Sequence, residues 1–126
     1  DVGLDQSVAA IISCGIGGGM GGLRNVCGAV TGMFMAANLL YGFETPDDPN
    51  HKTEHYTAIR ELAEAFTNEY STLICKELLS SLPGTLSQNP SFRDDEYYKV
   101  RPCALFVEKA IAILENYMAN NPLEAQ

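Results

Sequence analysis

The chain has 126 residues, 46% of them hydrophobic, which suits one domain with its own core and requires no disulfide to hold it. Its 16 acidic and 8 basic residues give a net charge of -8, which disfavours nucleic acid and anionic membrane surfaces as partners. The first residues lack the pattern of a secretory signal. We therefore expect a cytoplasmic protein with a single helical domain over residues 1–126.

The N-terminal part predicts two helices that are joined by a glycine cluster. Residues 4–12 suit a short helix, and the glycines that follow from position 15 end it, because each adds backbone freedom that a helix must remove. A second helix is predicted to begin at residues 21–23 and to run to residues 40–41, with Gly42 as its stop signal. It is apolar on nearly all sides, so we expect it at the centre of the fold.

The uncharged stretch over residues 26–43 is long enough that a membrane span has to be weighed against a buried helix. It contains Thr31, Asn38 and three glycines, and no cluster of Lys or Arg flanks it. A buried central helix is the better interpretation, and no membrane span is predicted.

The remaining sequence predicts three further helices. In chain order, the predicted elements are an exposed acidic loop over residues 43–50, an amphipathic helix over residues 51–71, a short helix over residues 72–82 closed by Pro83-Gly84, a polar surface loop to Ser91, and a helix from Pro102 toward Asn120. Strand patterns of period two are absent. The predicted fold class is all-α: a single compact bundle of about five helices around a central apolar helix that contains glycines.

The glycine cluster has two interpretations. Glycine N–H groups before a helix can hold a phosphate, but a P-loop needs a Lys just after the cluster and a dinucleotide site needs a preceding strand, and neither is present. We favour close packing instead. Gly28 and Gly32 are four residues apart, so they leave one helix face almost without side chains, where another backbone can approach.

Four cysteines stand at positions 14, 27, 75 and 103, and their separations of 13, 48 and 28 residues match no metal-binding signature. Cys75 and Cys103 lie at predicted helix starts, where the helix end favours a thiolate. A thiolate binds metals and attacks disulfides. Taken singly, each cysteine has the alternative of being an inert, buried small hydrophobic residue.

The segment "GGGMGGLRNVCGAVTGMFMAANLLYG" resembles the C_GCAxxG_C_C family of redox-active proteins. These are small prokaryotic proteins that are named for their cysteine pattern and are related to a domain of split-Soret cytochromes. Residues 27–32 match the C-G-A-x-x-G motif of the family. Cys75 in "CKELL" and Cys103 in "CALFVEKAIAIL" match its two later cysteines, so the resemblance covers most of residues 4–118.

The resemblance implies redox chemistry or cluster binding by cysteines from separate helices. The first cysteine of the family lies upstream of the point where this chain begins, so we expect that an N-terminal segment carrying it is absent. Cys14 is the candidate to replace that sulfur, and the alternative is that Cys14 is incidental. The c-type haem motifs of the cytochrome relatives are missing, so covalent haem is not implied.

We predict a redox-active protein that uses either an iron–sulfur cluster or a thiol/disulfide couple for electron transfer, with zinc as the second choice of cofactor. The predicted catalytic and metal-binding residues are Cys27, Cys75 and Cys103, and the predicted cofactor-binding residues are Cys14, Gly28 and Gly32. The predicted partners are a redox partner protein and a second copy of the chain. The alternative function is a non-catalytic helical interaction or dimerisation module whose cysteines stay reduced and buried.

Two histidines, His51 and His55, are four residues apart on one face of the predicted third helix. Such a pair can bind a divalent metal ion. Because both follow an acidic loop at the start of an exposed helix, we predict solvated histidines instead.

Overall fold

A computed structural model of the chain describes residues 3–80 and 102–123. In chain order, its helices are α1 (Gln6–Ser13), α2 (Gly17–Met20), α3 (Gly28–Tyr41), α4 (Pro49–Tyr70), α5 (Cys75–Leu78) and α6 (Cys103–Asn120). The short α2 is a series of turns rather than a regular helix, because Gly18, Gly19 and Met20 have positive φ angles. The described residues contain no β-strand, and one isolated antiparallel bridge joins Val26 to Ile74. The predicted all-α fold class is confirmed. Among these helices, none is long and apolar enough to cross a lipid bilayer.

The central helix is α3, as predicted, because it packs against α2, α4 and α6. Its buried residues Val30, Met33 and Ala37 recur at spacings of three and four, so they form one face of the helix. Helices α4 and α6 also pack against each other. The core therefore lies where α3, α4 and α6 meet.

An aromatic cluster joins α4 to α6 at this core. Phe66 is fully buried, and its ring centroid lies 5.0 Å from that of Tyr70 and 6.2 Å from that of Phe106. Tyr70 and Phe106 meet edge to face at 4.9 Å. Burying a phenylalanine contributes about 1.5–3 kcal/mol and each aromatic pair adds about 0.5–1.5 kcal/mol, so this cluster is a main source of stability.

Local capping residues fix the bounds of the outer helices. The Asp5 carboxylate accepts hydrogen bonds from the N–H groups of Ser7 at 2.9 Å and Val8 at 3.3 Å, so it caps α1. The Asp48 carboxylate accepts from the Asn50 N–H at 2.9 Å, and Pro49 occupies the first turn of α4. Because these signals are local, the predicted bounds of both helices lie close to the observed ones.

The predicted start of the central helix at residues 21–23 is wrong, because α3 begins at Gly28. The backbone of Met20, Gly21, Gly22 and Arg24 has positive φ angles between 59° and 81°, which a right-handed helix does not allow. The chain then runs extended through Val26 into its bridge with Ile74. The start of α3 is thus set by a partner that lies far away in the sequence.

The later predicted elements differ from the structure in length. In place of the short helix predicted over residues 72–82, the structure has the four-residue α5. The buried Leu79 follows α5 directly. The end of that predicted helix, Pro83-Gly84 and the predicted loop to Ser91 lie outside the described residues. The last helix begins at Cys103, directly after Pro102, and reaches Asn120 as predicted.

The prediction of two solvated histidines is wrong for His55. Its side chain is 8% exposed, and its Nε2 lies 2.6 Å from the Asn38 side-chain oxygen on α3. Burial lowers the pKa of His55, and the charge of His51 lowers it further. His51 itself is exposed, as predicted.

Candidate functional site

Three cysteines that are far apart in the sequence line one cleft of about 570 Å³. Cys27 caps the start of α3, Cys75 is the first residue of α5, and Cys103 is the first residue of α6. The structure thus brings the three predicted catalytic cysteines to the same cleft. The cysteines meet there because the N-terminal ends of α3, α5 and α6 all lie beside this cleft.

The bridge between Val26 and Ile74 holds Cys27 and Cys75 in register. The Cys27 N–H donates to the Leu73 carbonyl at 2.8 Å, and the Cys75 N–H donates to the Asn25 carbonyl at 2.6 Å. In an antiparallel pair of this register, the side chains of Cys27 and Cys75 are diagonal neighbours on the same side, with Cβ atoms about 7 Å apart or less. A disulfide needs a Cβ separation of about 3.8 Å. Cys27 and Cys75 are both free thiols, as are Cys14 and Cys103.

The glycine cluster packs directly against Cys75. Gly19 is buried with a φ of +65°, and a Cβ added there would lie 2.7 Å from the Cys75 Cβ and 2.6 Å from the Asn25 nitrogen. The Asn25 N–H donates to the Gly19 carbonyl at 2.9 Å. A side chain would prevent this approach, so glycine is required there for Cys75 to occupy its position.

The two glycines of α3 behave differently, although both line the cleft. A Cβ at Gly28 would lie 3.0 Å from the Ile16 carbonyl oxygen, so the close backbone approach that the sequence predicts is present there. A Cβ at Gly32 would meet nothing within 4 Å. The space beside Gly32 is therefore open, and among the described residues no second backbone approaches a Cβ at this position.

A buried arginine that is not among the predicted site residues reaches Cys75. Arg24 is 8% exposed, and its Nη1 donates to the Cys75 Sγ at 3.5 Å. Its backbone N–H donates to the Gly18 carbonyl at 3.0 Å, so the glycine cluster also orients this side chain. A guanidinium that donates to a sulfur stabilises negative charge on it. The sequence does contain a signal for a special role of this arginine, because Arg24 is the sole charged residue between Asp5 and Glu44.

The electrostatics of Cys27 favour its neutral thiol. Burial raises the pKa of Cys27, while hydrogen bonds from the backbone of Ala29 and Val30 oppose that rise. Negative charge on Cys75 or Cys103 raises the pKa of Cys27 further. The Cys27 sulfur is therefore close enough to those of Cys75 and Cys103 for negative charge on them to affect it.

The fourth cysteine is placed elsewhere. Cys14 is exposed at the end of α1, and it is absent from the described residues that line the cleft. A second cleft of about 560 Å³ lies between α4 and α6, where Lys109 and Glu69 form an ion pair at 3.4 Å. No described cysteine lines that cleft. The cysteine cleft is therefore the candidate site.

The described side chains do not form a metal-ligand set. Within residues 3–80 and 102–123, no group of three or more His, Cys, Asp or Glu side chains is placed to hold a metal ion. Cys27, Cys75 and Cys103 share a cleft without converging on one point.

Comparison with known proteins identifies a family. The model of a family described as "Putative redox-active protein (C_GCAxxG_C_C)" matches residues 1–117. No curated protein matches the chain, and no solved structure does.

Proposed function

Because the chain belongs to the C_GCAxxG_C_C family of redox-active proteins, we propose that it works by thiol–disulfide exchange between Cys75 and Cys27. The observation that carries this proposal is the cleft in which Arg24 donates to the Cys75 sulfur while Cys27 lies on the same side of the backbone bridge. Cys75 is the attacking thiolate, since it has a cationic donor beside it. Cys27 is the second thiol.

The exchange proceeds in two steps. The Cys75 thiolate attacks one sulfur of a substrate disulfide, the substrate S–S bond breaks, and the leaving thiolate takes a proton from solvent. Cys27 then loses its proton and attacks the Cys75 sulfur, which releases the second substrate thiol. The products are a Cys27–Cys75 disulfide and two substrate thiols, so two electrons pass from the protein to the substrate.

Cys27 is assigned to the second step because it is the less ready nucleophile. Burial raises the pKa of Cys27, and negative charge on Cys75 or Cys103 raises it further. A mixed disulfide at Cys75 carries no charge on that sulfur, so the first step removes one of the smaller causes of the raised pKa, whereas burial remains.

A small movement must accompany the second step. The Cβ atoms of Cys27 and Cys75 are diagonal neighbours about 7 Å apart or less, and they have to approach to about 4 Å before a disulfide forms. Cys75 lies on the four-residue α5, whereas Cys27 caps the 14-residue central helix. We therefore assign the movement to α5.

The predicted metal cofactors fit the described residues less well. Cluster and zinc sites in proteins use three or four converging ligands, and no such group is placed among the described side chains. Our proposal therefore uses thiol chemistry alone, and neither the iron–sulfur cluster nor zinc enters its steps.

The test is a thiol count on protein purified without oxygen, before and after one equivalent of diamide, which takes two electrons and two protons from a dithiol. We expect the wild type to lose two thiols. Cys27→Ser and Cys75→Ser should each prevent this loss. Cys14→Ser is the matched control, because its thiol is exposed outside the cleft, and it should still lose two.

Metal analysis of the same samples separates the alternatives. Iron with acid-labile sulfide, lost in Cys27→Ser, would overturn the proposal in favour of a cluster. Bound zinc with no oxidisable thiols would indicate a structural site. If the protein holds no metal and its cleft thiols resist diamide, the proposal is overturned and the interaction module is favoured.

A further inference from the structure

His55 carries a buried polar atom that the fold leaves unsatisfied. The side chain is 8% exposed, and within residues 3–80 and 102–123 its Nδ1 meets no hydrogen-bond partner. Buried polar atoms in native proteins are nearly always hydrogen-bonded, so an exception calls for an explanation such as a bound ion or water. The neighbourhood of this nitrogen is therefore a candidate binding site.

Asn38 determines which ring nitrogen of His55 is available to a ligand. The Nε2 of His55 lies 2.6 Å from the Asn38 Oδ1. An amide oxygen only accepts hydrogen bonds, so Nε2 carries the proton and Nδ1 keeps its lone pair. Metal-bound histidines almost always donate their other ring N–H to an oxygen, which fixes the tautomer and the orientation of the ring. His55 thus has the hydrogen bond that is typical of a metal ligand.

A second imidazole lies beside the first. His51 is one turn before His55 on α4, so their Cβ atoms are about 5–6 Å apart on one face. The Phe43 ring packs against both, with its centroid 5.5 Å from that of His51 and 6.1 Å from that of His55. His51 is exposed, so its ring can turn to admit an ion between the two histidines.

The charge around the pair favours a cation. Glu44, Asp47 and Asp48 are exposed in the loop that leads into α4, and the whole chain has a net charge of -8. Such a field raises the local concentration of cations and lowers that of anions. Neither histidine is among the described residues that line the cysteine cleft, so this pair is a separate site.

We propose that His51 and His55 bind a divalent transition-metal ion through Nδ1 of His55 and a ring nitrogen of His51. Imidazole nitrogens suit Ni²⁺, Cu²⁺ and Zn²⁺. Among the described residues, no third His, Cys, Asp or Glu side chain is placed to join the pair, so water completes the coordination. Asn38 is a positioning residue, because it orients the His55 ring from α3. The site is independent of the proposed thiol exchange.

Calorimetric titration with Ni²⁺ tests the pair. The chain has two histidines, so the protein is made without a histidine tag, and Ni²⁺ is the probe because thiolates select Zn²⁺ and Cu⁺. Loss of a hydrogen-bond partner of a ligand costs about 10–100-fold in metal affinity, so His51→Gln, which removes a ligand, should cost at least about tenfold. Lys52→Gln is the matched control on the same exposed turn and should not weaken binding. Equal affinity in wild type and His51→Gln would overturn the proposal.

The role of Asn38 has its own test. Asn38→Ala should weaken Ni²⁺ binding by about 10–100-fold, whereas Asn38→Asp keeps an acceptor for the His55 N–H and should retain binding. If Asn38→Ala binds Ni²⁺ as tightly as wild type, Asn38 does not position the ligand and that part of the proposal is wrong.

A measurement on the wild type requires no variant to fold. Ni²⁺ is paramagnetic, so it broadens the NMR signals of ring protons near the ion. We expect the ring signals of both histidines to broaden together at substoichiometric Ni²⁺. Broadening of His51 alone would show that the buried ring is not a ligand, and broadening of neither would show that there is no histidine site; either result would overturn the inference.

Discussion

Replacing Gly19 by alanine should disrupt the site, because Gly19 packs against Cys75 and against the backbone of Arg24 and Asn25. Gly19 has a φ of +65°, and an alanine there is strained by about 1–2 kcal/mol. Its Cβ would also lie 2.6 Å from the Asn25 nitrogen, 2.7 Å from the Arg24 Cα and 2.7 Å from the Cys75 Cβ. Such overpacking costs about 1–3 kcal/mol more, so we expect Gly19→Ala to lower the free energy of unfolding by about 2–5 kcal/mol.

Two matched variants separate the causes. Gly18→Ala has the same strained backbone, with a φ of +63°, but its Cβ would meet only the Arg24 side chain at 3.7 Å or beyond, so it should cost about 1–2 kcal/mol. Gly32→Ala lies inside α3 with nothing within 4 Å, so it should stabilise the fold by about 0.5–1 kcal/mol. Urea unfolding of the three variants measures these values. Equal losses in Gly18→Ala and Gly19→Ala would refute the claim that Gly19 is required for contact with Cys75.

Three further predictions concern the core and the titrating groups. Phe66→Ala should lower the free energy of unfolding by about 3–5 kcal/mol in urea, whereas Leu39→Ala, which is 51% exposed, should change it by less than about 1 kcal/mol. Burial lowers the pKa of His55, so the contribution of His55 to stability should be constant above about pH 6.5 and fall below it, and His55→Gln should reduce that fall in urea titrations at several pH values. At neutral pH, iodoacetamide should label Cys14 at least about tenfold faster than Cys27, because Cys14 is exposed and burial raises the pKa of Cys27; equal labelling by mass spectrometry would contradict this.

The outer helices could be predicted because their signals are local. Asp5 caps α1 and Asp48 with Pro49 starts α4, and these residues can be identified without any knowledge of the fold. The start of α3 could not be predicted in this way. It depends on the bridge from Val26 to Ile74, which are distant in the sequence.

Part of the site was also visible in the sequence. The helix-start positions of Cys75 and Cys103 were correct, and the structure brings both to one cleft with Cys27. The contact of Arg24 with Cys75 was not foreseen, because it depends on left-handed turns in the glycine cluster. The burial of His55 had a signal that was missed: it lies three residues before Ala58, on the same buried stripe of α4.

The central claim is that Cys75 and Cys27 form the redox couple, and a peptide map of the oxidised protein tests it most directly. Trypsin cleaves after Lys and Arg, so it places Cys27, Cys75 and Cys103 in the separate peptides 25–52, 61–76 and 100–109. After oxidation of the Cys14→Ser variant and blocking of free thiols, our account predicts that mass spectrometry finds peptides 25–52 and 61–76 linked by a disulfide. A link from 100–109 to either peptide, or full blocking of all three thiols, would contradict it.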